Sequence, residues 1–237
     1  MTDVTVSPSG EVTKGNYPTF PKDAPKTTEK VMSATPGSIT KEGGRTVFIT
    51  EAVKALDADT VIVKDPSNPD GFPTLTCRLA RVNANETAHP ARAATATEPA
   101  KPATPAQPYA NEATDYVKKL IKDKKISVTV TQLHDVFGAK DGKQGRSVCE
   151  LEVEGENLNT DLLVKGFASV YRTLSKKAAK PSVMDEITEA RAKNAGVGRW
   201  NPELDAAARE DPSVFGKRVL NEAKDKQNSL LGRLGLL

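Results

Sequence analysis

The chain of 237 residues is 37% hydrophobic and only 5% aromatic, and its 16 prolines and 16 glycines predict a compact domain diluted by segments that cannot bury their own surface. No apolar run approaches transmembrane length, and the N-terminus lacks the basic and apolar regions of a signal peptide, so we expect no membrane association and a cytoplasmic or virion location. The formal net charge of +3 permits binding to a polyanion but excludes the strongly basic class of proteins that coat nucleic acid.

The N-terminal part of the chain predicts a low-complexity extension followed by strands. Residues 1–44 are rich in Thr, Pro, Ser and Lys, with apolar residues scattered singly, which favours extended chain over a packed element. Three strand-like runs follow, with prolines and a glycine supplying the turn before the third: Thr46–Val53, Thr60–Lys64 and Leu75–Val82. We expect these runs to form an antiparallel meander.

The middle of the chain predicts a loop, a helix and two more strands. Ala88–Pro108 consists almost wholly of Ala, Thr and Pro and predicts a mobile surface loop. Apolar residues then recur at helical spacing from about Asn111 to Lys124, which predicts an amphipathic helix laid on the sheet. Two strands, Ile126–Leu133 and Arg146–Val153, flank a polar turn that contains several glycines.

The C-terminal third predicts two short helices and an amphipathic tail. Asn159–Lys165 and Pro181–Asn194 read as helices, each ended by a glycine. Residues 201–237 carry a broken apolar stripe suited to docking on the domain or on a partner, formed by Val219, Leu220, Ala223, Leu230, Leu231 and Leu234.

The two cysteines, Cys77 and Cys149, are far apart in the sequence, and each lies inside a strand-like run. A disulfide framework or a zinc site would need clustered ligands. We therefore expect two buried thiols in a reducing compartment.

Four charged residues stand at the ends of apolar strands, or inside one: Asp59, Arg78, Glu86 and Arg146. Taken singly, each charged side chain is most simply explained as a solvated residue at a strand edge or as one partner of a salt bridge. Their order along the chain is the informative feature.

The joint pattern resembles the staphylococcal nuclease family. The segments that carry the resemblance come in the family's order: Asp59-Thr60-Val61, Arg78 to Thr87, Gly145-Arg146, Tyr109 to Leu120, Asn159 to Ala168, and Glu189 to Trp200. The resemblance implies an α+β, mainly β fold, in which a five-stranded OB-type barrel carries about three helices. It implies a domain over residues 45–200, between the extension of residues 1–44 and the tail of residues 201–237.

The resemblance also implies a reaction centre. Asp59, Asn83 and the Ala84 carbonyl would bind Ca²⁺, which prefers oxygen ligands. Glu86 would orient or deprotonate the attacking water, and Arg78 and Arg146 would grip phosphate oxygens. The expected product is a 3′-phosphate end on DNA or RNA.

Three departures from the family bear on this chemistry. Asn83 stands where the family has a second calcium-binding Asp, which should lower calcium affinity. Asn85 replaces a proline, which frees the backbone and should orient the Glu86 side chain less firmly. Gln144 replaces a tyrosine that would offer a stacking surface for a base.

Other candidate contacts to substrate have simple alternatives. Tyr171 could stack on a base, but a core or surface role is commoner for a tyrosine. Lys118 and Lys119 could steer a nucleic acid, although the solvated face of a helix explains them equally well.

Two functions follow from the sequence. The first is a calcium-dependent endonuclease, supported by the retention of Glu86 and both arginines. The second is a structural or binding component of a large assembly, for example a virion or phage tail, with weakened or absent activity. The departures at Asn83, Asn85 and Gln144 motivate it, as do the terminal tails, which could also mediate homo-oligomerisation.

Overall fold

The computed structural model describes residues 39–42, 45–66, 74–95, 100–132, 146–172 and 180–233. Its N-terminal half contains β1 (Ile39–Glu42), β2 (Arg45–Asp57), β3 (Thr60–Lys64), β4 (Thr74–Leu79), β5 (Val82–Ala84) and α1 (Ala110–Ile121). Its C-terminal half contains β6 (Lys125–Gln132), β7 (Arg146–Val153), β8 (Glu156–Asn157), α2 (Leu158–Val164), β9 (Ala168–Val170), α3 (Val183–Ala195) and α4 (Pro212–Arg233). Two 3₁₀ turns, Gly198–Trp200 and Ala206–Ala208, precede α4.

Five strands close into a barrel with mixed pairing. Strands β2, β3 and β4 form the expected antiparallel meander, and β4 then pairs in parallel with β7. Strand β6 pairs antiparallel with β7 on one side and with β2 on the other, which closes the barrel. This topology confirms the α+β, mainly β, OB-type fold, with four helices in the described residues instead of about three.

Alternating burial along the strands explains why these segments pack as a barrel. In β4 and β7 every second side chain is buried, so one face of each strand is turned to the core. The core includes Val61, Val63, Leu79, Val128 and Leu151. Helix α1 buries Ala113, Val117 and Ile121 and contacts β2, as its amphipathic pattern predicted.

Both cysteines are buried free thiols, as the sequence predicted. Cys77 on β4 and Cys149 on β7 interact across neighbouring strands. Contact with the Cys149 thiol, together with burial, raises the pKa of Cys77 well above its usual range.

The prediction of a single strand over Leu75–Val82 is wrong in one respect. The structure divides this run into two strands, β4 and β5. Arg81 adopts a positive φ of 63°, which turns the chain out of the barrel. Strand β5 then pairs with β9 in a separate two-stranded sheet. At the N-terminus, β1 pairs with β2 inside the segment predicted to be a low-complexity extension.

The Ala/Thr/Pro-rich segment predicted as a loop forms two facing limbs, residues 88–95 and 100–107, which we call the arm. Four backbone hydrogen bonds join its limbs, pairing His89 with Thr104 and Arg92 with Lys101. Prolines block a regular strand there but still allow this spaced pairing. In the part of the chain that the structure describes, no helix combines the length and apolar character needed to cross a membrane.

Candidate active site

Asp59 lies between β2 and β3 and is almost fully buried, with 4% of its surface exposed. One carboxylate oxygen, Oδ1, forms an ion pair with the Arg78 guanidinium and accepts a hydrogen bond of 3.1 Å from Thr60 Oγ1. The other, Oδ2, accepts a hydrogen bond of 2.6 Å from the backbone N–H of Ala84. Asp59 therefore joins β4 and β5 at the point where the chain leaves the barrel.

Arg78 bridges two of the predicted calcium ligands. Besides its ion pair with Asp59, it donates a hydrogen bond of 2.7 Å from Nη2 to Asn83 Oδ1. Burial lowers the pKa of Arg78 to about 10, against the opposing effect of Asp57. The guanidinium is therefore still a cation at neutral pH.

Arg146 and Glu86 lie in the same neighbourhood. Arg146 opens β7 and donates a hydrogen bond of 2.5 Å to Thr60 Oγ1, so Thr60 connects it to Asp59. Besides burial and Asp57, the charges of Arg146, Glu86 and Tyr171 act on the pKa of Arg78. The structure thus connects Arg78 to Asp59 directly and Arg146 to Asp59 through Thr60, and the charge of Glu86 acts on Arg78 from outside this network.

The segment that carries Glu86 is held by a buried glutamine that sequence reasoning missed. Gln107 is 1% exposed, and its Oε1 accepts a hydrogen bond of 3.3 Å from the Glu86 N–H. Its own N–H donates to the Glu86 carbonyl at 2.9 Å. Its Nε2 donates to the carbonyls of Ala207 and Glu210, at 2.7 and 2.8 Å. The only signal in the sequence is that Gln107 is a single amide in a segment of Ala, Thr and Pro.

Asn85 is also anchored to the C-terminal segment. Its Nδ2 donates to the Pro108 carbonyl at 2.6 Å and to the Ala208 carbonyl at 3.0 Å. The sequence predicted a less restrained backbone where Asn85 replaces proline. Side-chain hydrogen bonds instead supply the restraint, because they tie the residue before Glu86 to two fixed carbonyls.

The residues predicted to contact substrate fall into two groups. Tyr171 is 39% exposed and lies close enough to Arg78 to affect its pKa. Lys118 and Lys119 are exposed on α1, where Lys118 pairs with Asp115 at 3.0 Å. Gln144, which replaces the family's stacking tyrosine, lies outside the described residues.

The polar side chains at this site offer oxygen donors with a single carboxylate, that of Asp59. Within the described ranges, no group of three or more His, Cys, Asp or Glu side chains is placed to hold a metal ion. Oxygens of Asp59 and Asn83 nevertheless converge on one cation, the Arg78 guanidinium. An all-oxygen set of this kind fits calcium chemistry, but it offers a single carboxylate, and Arg78 would compete for it.

A family model matches a range of the chain that includes most of the residues of this site. Residues 76–202 match the model described as staphylococcal nuclease homologue, which is more than half of the chain. The matched range contains Arg78, Glu86 and Arg146, whereas Asp59 precedes it. Comparison with curated proteins found no significant match.

Proposed function

Because the chain belongs to the family of staphylococcal nuclease homologues, whose domain indicates a nuclease-type, nucleic-acid-binding function, we propose that it is a calcium-dependent endonuclease acting on DNA or RNA. Cleavage would leave a 3′-phosphate end and a free 5′-hydroxyl. The observation that carries the proposal is the cluster of Asp59, Arg78, Asn83 and Arg146 beside Glu86.

The two arginines bind the phosphodiester. A guanidinium matches a phosphate group in a planar, bidentate contact and stays charged at neutral pH. Arg78 is half-buried and fixed by Asp59 and Asn83, whereas Arg146 is exposed and held through Thr60. Such pre-positioned cations stabilise the charge that develops on the phosphate oxygens during attack.

Glu86 acts on the attacking water. Its side chain is 43% exposed, so water reaches it. Its backbone N–H and its backbone carbonyl are both hydrogen-bonded to Gln107. A carboxylate placed in this way accepts a proton from water as the new P–O bond forms and the P–O5′ bond breaks, and the departing 5′-oxygen takes up a proton from solvent. Asp59, Asn83 and the Ala84 carbonyl would hold a calcium ion, which would supply further positive charge to the phosphate.

The contacts available at this site are to phosphate and do not read base edges. Tyr171 is 39% exposed, and we infer that it stacks on a base, an interaction that tolerates any sequence. We therefore expect cleavage of both DNA and RNA, with single strands preferred because their bases are accessible.

A cleavage assay tests the proposal. Fluorescently labelled single-stranded DNA and RNA are incubated with the purified chain in Ca²⁺ or in EDTA, beside Arg146→Gln and, as control, Arg191→Gln on the exposed face of α3. We expect calcium-dependent cleavage that falls about 10²-fold in Arg146→Gln and is unchanged in the control. Strand binding without cleavage in calcium would instead support the binding-component alternative.

A further inference from the structure

A cleft of about 340 Å³ lies between the arm and the N-terminal half of α4, next to the candidate active site. Glu86 forms part of its wall, so the cleft opens directly beside the proposed base. The arm contributes Arg92 and Lys101, and α4 contributes Phe215 and Lys217. None of the site residues except Glu86 lines it, so it is a distinct region of the surface.

The charges that line this cleft are mostly positive. The exposed Arg92 and Lys217 stand against one carboxylate, Glu86, which is itself 3.5 Å from the Nε2 of His89. Arg92 and Lys217 are exposed at the rim, where their cations reach solvent. This arrangement complements an anionic chain, and the proposed phosphodiester site beside Glu86 makes a nucleic acid strand the anion that reaches it.

Apolar groups form the rest of the lining. Pro90 and Pro105 of the arm present exposed apolar surface between the cations, whereas Pro212 and Phe215 of α4 are buried beneath the wall of the cleft. Gly216 also lines the cleft, and a Cβ atom added there would meet nothing within 4 Å. The glycine therefore leaves open space in the wall of the cleft. Exposed cations can bind the phosphates of a single strand, and the apolar prolines between them leave the bases room to lie against the arm.

We propose that this cleft binds the nucleotides that adjoin the scissile phosphodiester, so that a single strand runs from the arginine pair past Glu86 and between the arm and α4. The proposal rests on the proposed function, because it extends the same substrate. It assigns Arg92 and Lys217 to phosphates outside the reaction centre. It also predicts that long strands bind more tightly than dinucleotides.

Charge substitutions at Gly216 test the occupant of the cleft. Binding of a fluorescent single-stranded 12-nucleotide DNA is measured by anisotropy in EDTA for Gly216→Ala, Gly216→Lys and Gly216→Glu. We expect Gly216→Lys to bind about twofold to fivefold more tightly than Gly216→Ala, and Gly216→Glu to bind more weakly by a similar factor. Asn221→Lys and Asn221→Glu, exposed on α4 outside the cleft, are the controls and should shift binding far less.

The salt dependence of binding tests the two rim cations. Arg92→Gln and Lys217→Gln should each reduce the slope of log K against log salt by about 0.7, the loss expected for one phosphate contact on a single strand. Lys224→Gln is the matched control, because this exposed lysine lies on α4 but does not line the cleft.

The outcomes separate this inference from the proposed function. Opposite shifts for the Lys and Glu variants at Gly216 support the cleft even if calcium produces no cleavage, in which case only the nuclease assignment fails. Shifts of the same sign, or shifts no larger than at Asn221, overturn the cleft as a strand site even if the chain cleaves DNA. Shifts no larger than at Asn221 would indicate that the cleft holds another kind of partner, such as a peptide.

Discussion

Asn83 sets the charge of the proposed calcium site. Its Oδ1 accepts a hydrogen bond from Arg78, so the site combines one carboxylate with one neutral amide. We expect Asn83→Asp to tighten calcium binding, because a second carboxylate attracts a divalent ion more strongly than it attracts the competing guanidinium. Calorimetric titration of Ca²⁺ measures the change. Asn111→Asp on the exposed face of α1 is the control, and equal affinities for the two variants would refute the role of Asn83.

Gln107 positions Glu86 without touching substrate. Replacing it by leucine leaves the carbonyls of Ala207 and Glu210 without this donor, which should cost about 1–3 kcal/mol of unfolding free energy. We also expect Gln107→Leu to lower kcat while KM changes little, because the Glu86 backbone loses its support and the phosphate contacts remain. Steady-state kinetics below the melting temperature measure kcat and KM.

Val117→Ala provides the comparison for Gln107→Leu. It removes buried methyl groups from α1 and should lower stability without lowering kcat. A positioning role for Gln107 is wrong if the two variants lose stability to a similar degree and both keep the wild-type kcat.

The charged residues of the proposed site carry a signal in the sequence, whereas the residues that support them do not. Asp59, Arg78, Glu86 and Arg146 stand at strand ends in a recognisable order, and the fold brings them together. Gln107 and Asn85 were not predicted as supports because their partners are backbone carbonyls about one hundred residues later in the chain. Backbone acceptors leave no pattern of residue types in a sequence.

Two glycines allow the segment after α2 and the segment after α3 to cross closely. Gly166 and Gly198 both have positive φ, and a Cβ on Gly198 would lie 2.4 Å from the Gly166 carbonyl oxygen. We expect Gly198→Ala to lower the melting temperature by several degrees, because it adds strain and a backbone clash. Gly216→Ala on α4 is the matched control and should be neutral or stabilising, since its Cβ meets open space and alanine favours a helix. Equal melting temperatures for the two variants would contradict the close crossing.

Regular elements were predicted where apolar periodicity is strong. Strand β7 matches its predicted bounds, and α1, α2 and α3 lie within a few residues of theirs. The turn at Arg81 was missed because the apolar pattern runs through it and a positive φ at arginine has no sequence signal. Helix α4 was predicted only as an amphipathic tail, since its apolar stripe is broken. Of that stripe, Val219 is buried, and Phe215, which the stripe did not include, is buried beside it.

The stability of the whole molecule should depend on pH through Glu189. This carboxylate on α3 accepts hydrogen bonds from the Val170 backbone, Arg172 and Lys193. Burial alone would raise its pKa, but the hydrogen bonds and nearby cations outweigh burial and lower the pKa of Glu189 below its usual value. A lowered pKa in the folded state stabilises the protein above the unfolded pKa of about 4.3, and this stabilisation is lost as pH falls through the folded pKa.

We therefore expect Glu189→Gln to lower the unfolding free energy at pH 7 by about 1–3 kcal/mol, with the difference from wild type shrinking below about pH 4. Urea unfolding at a series of pH values measures it. Glu203→Gln, at an exposed position, is the control and should show no such trend. A difference that is constant across pH would refute the linkage.

Glu86 gives the most direct test of the proposed reaction centre. Single-turnover cleavage of a single-stranded oligonucleotide at saturating Ca²⁺ is compared for wild type and Glu86→Gln, with strand binding measured in parallel. The account predicts 3′-phosphate products from the wild type, a fall of about 10²- to 10⁴-fold in the cleavage rate of the variant, and binding retained within a few fold. Wild-type cleavage rates in Glu86→Gln, or equal rates in calcium and EDTA, would contradict it.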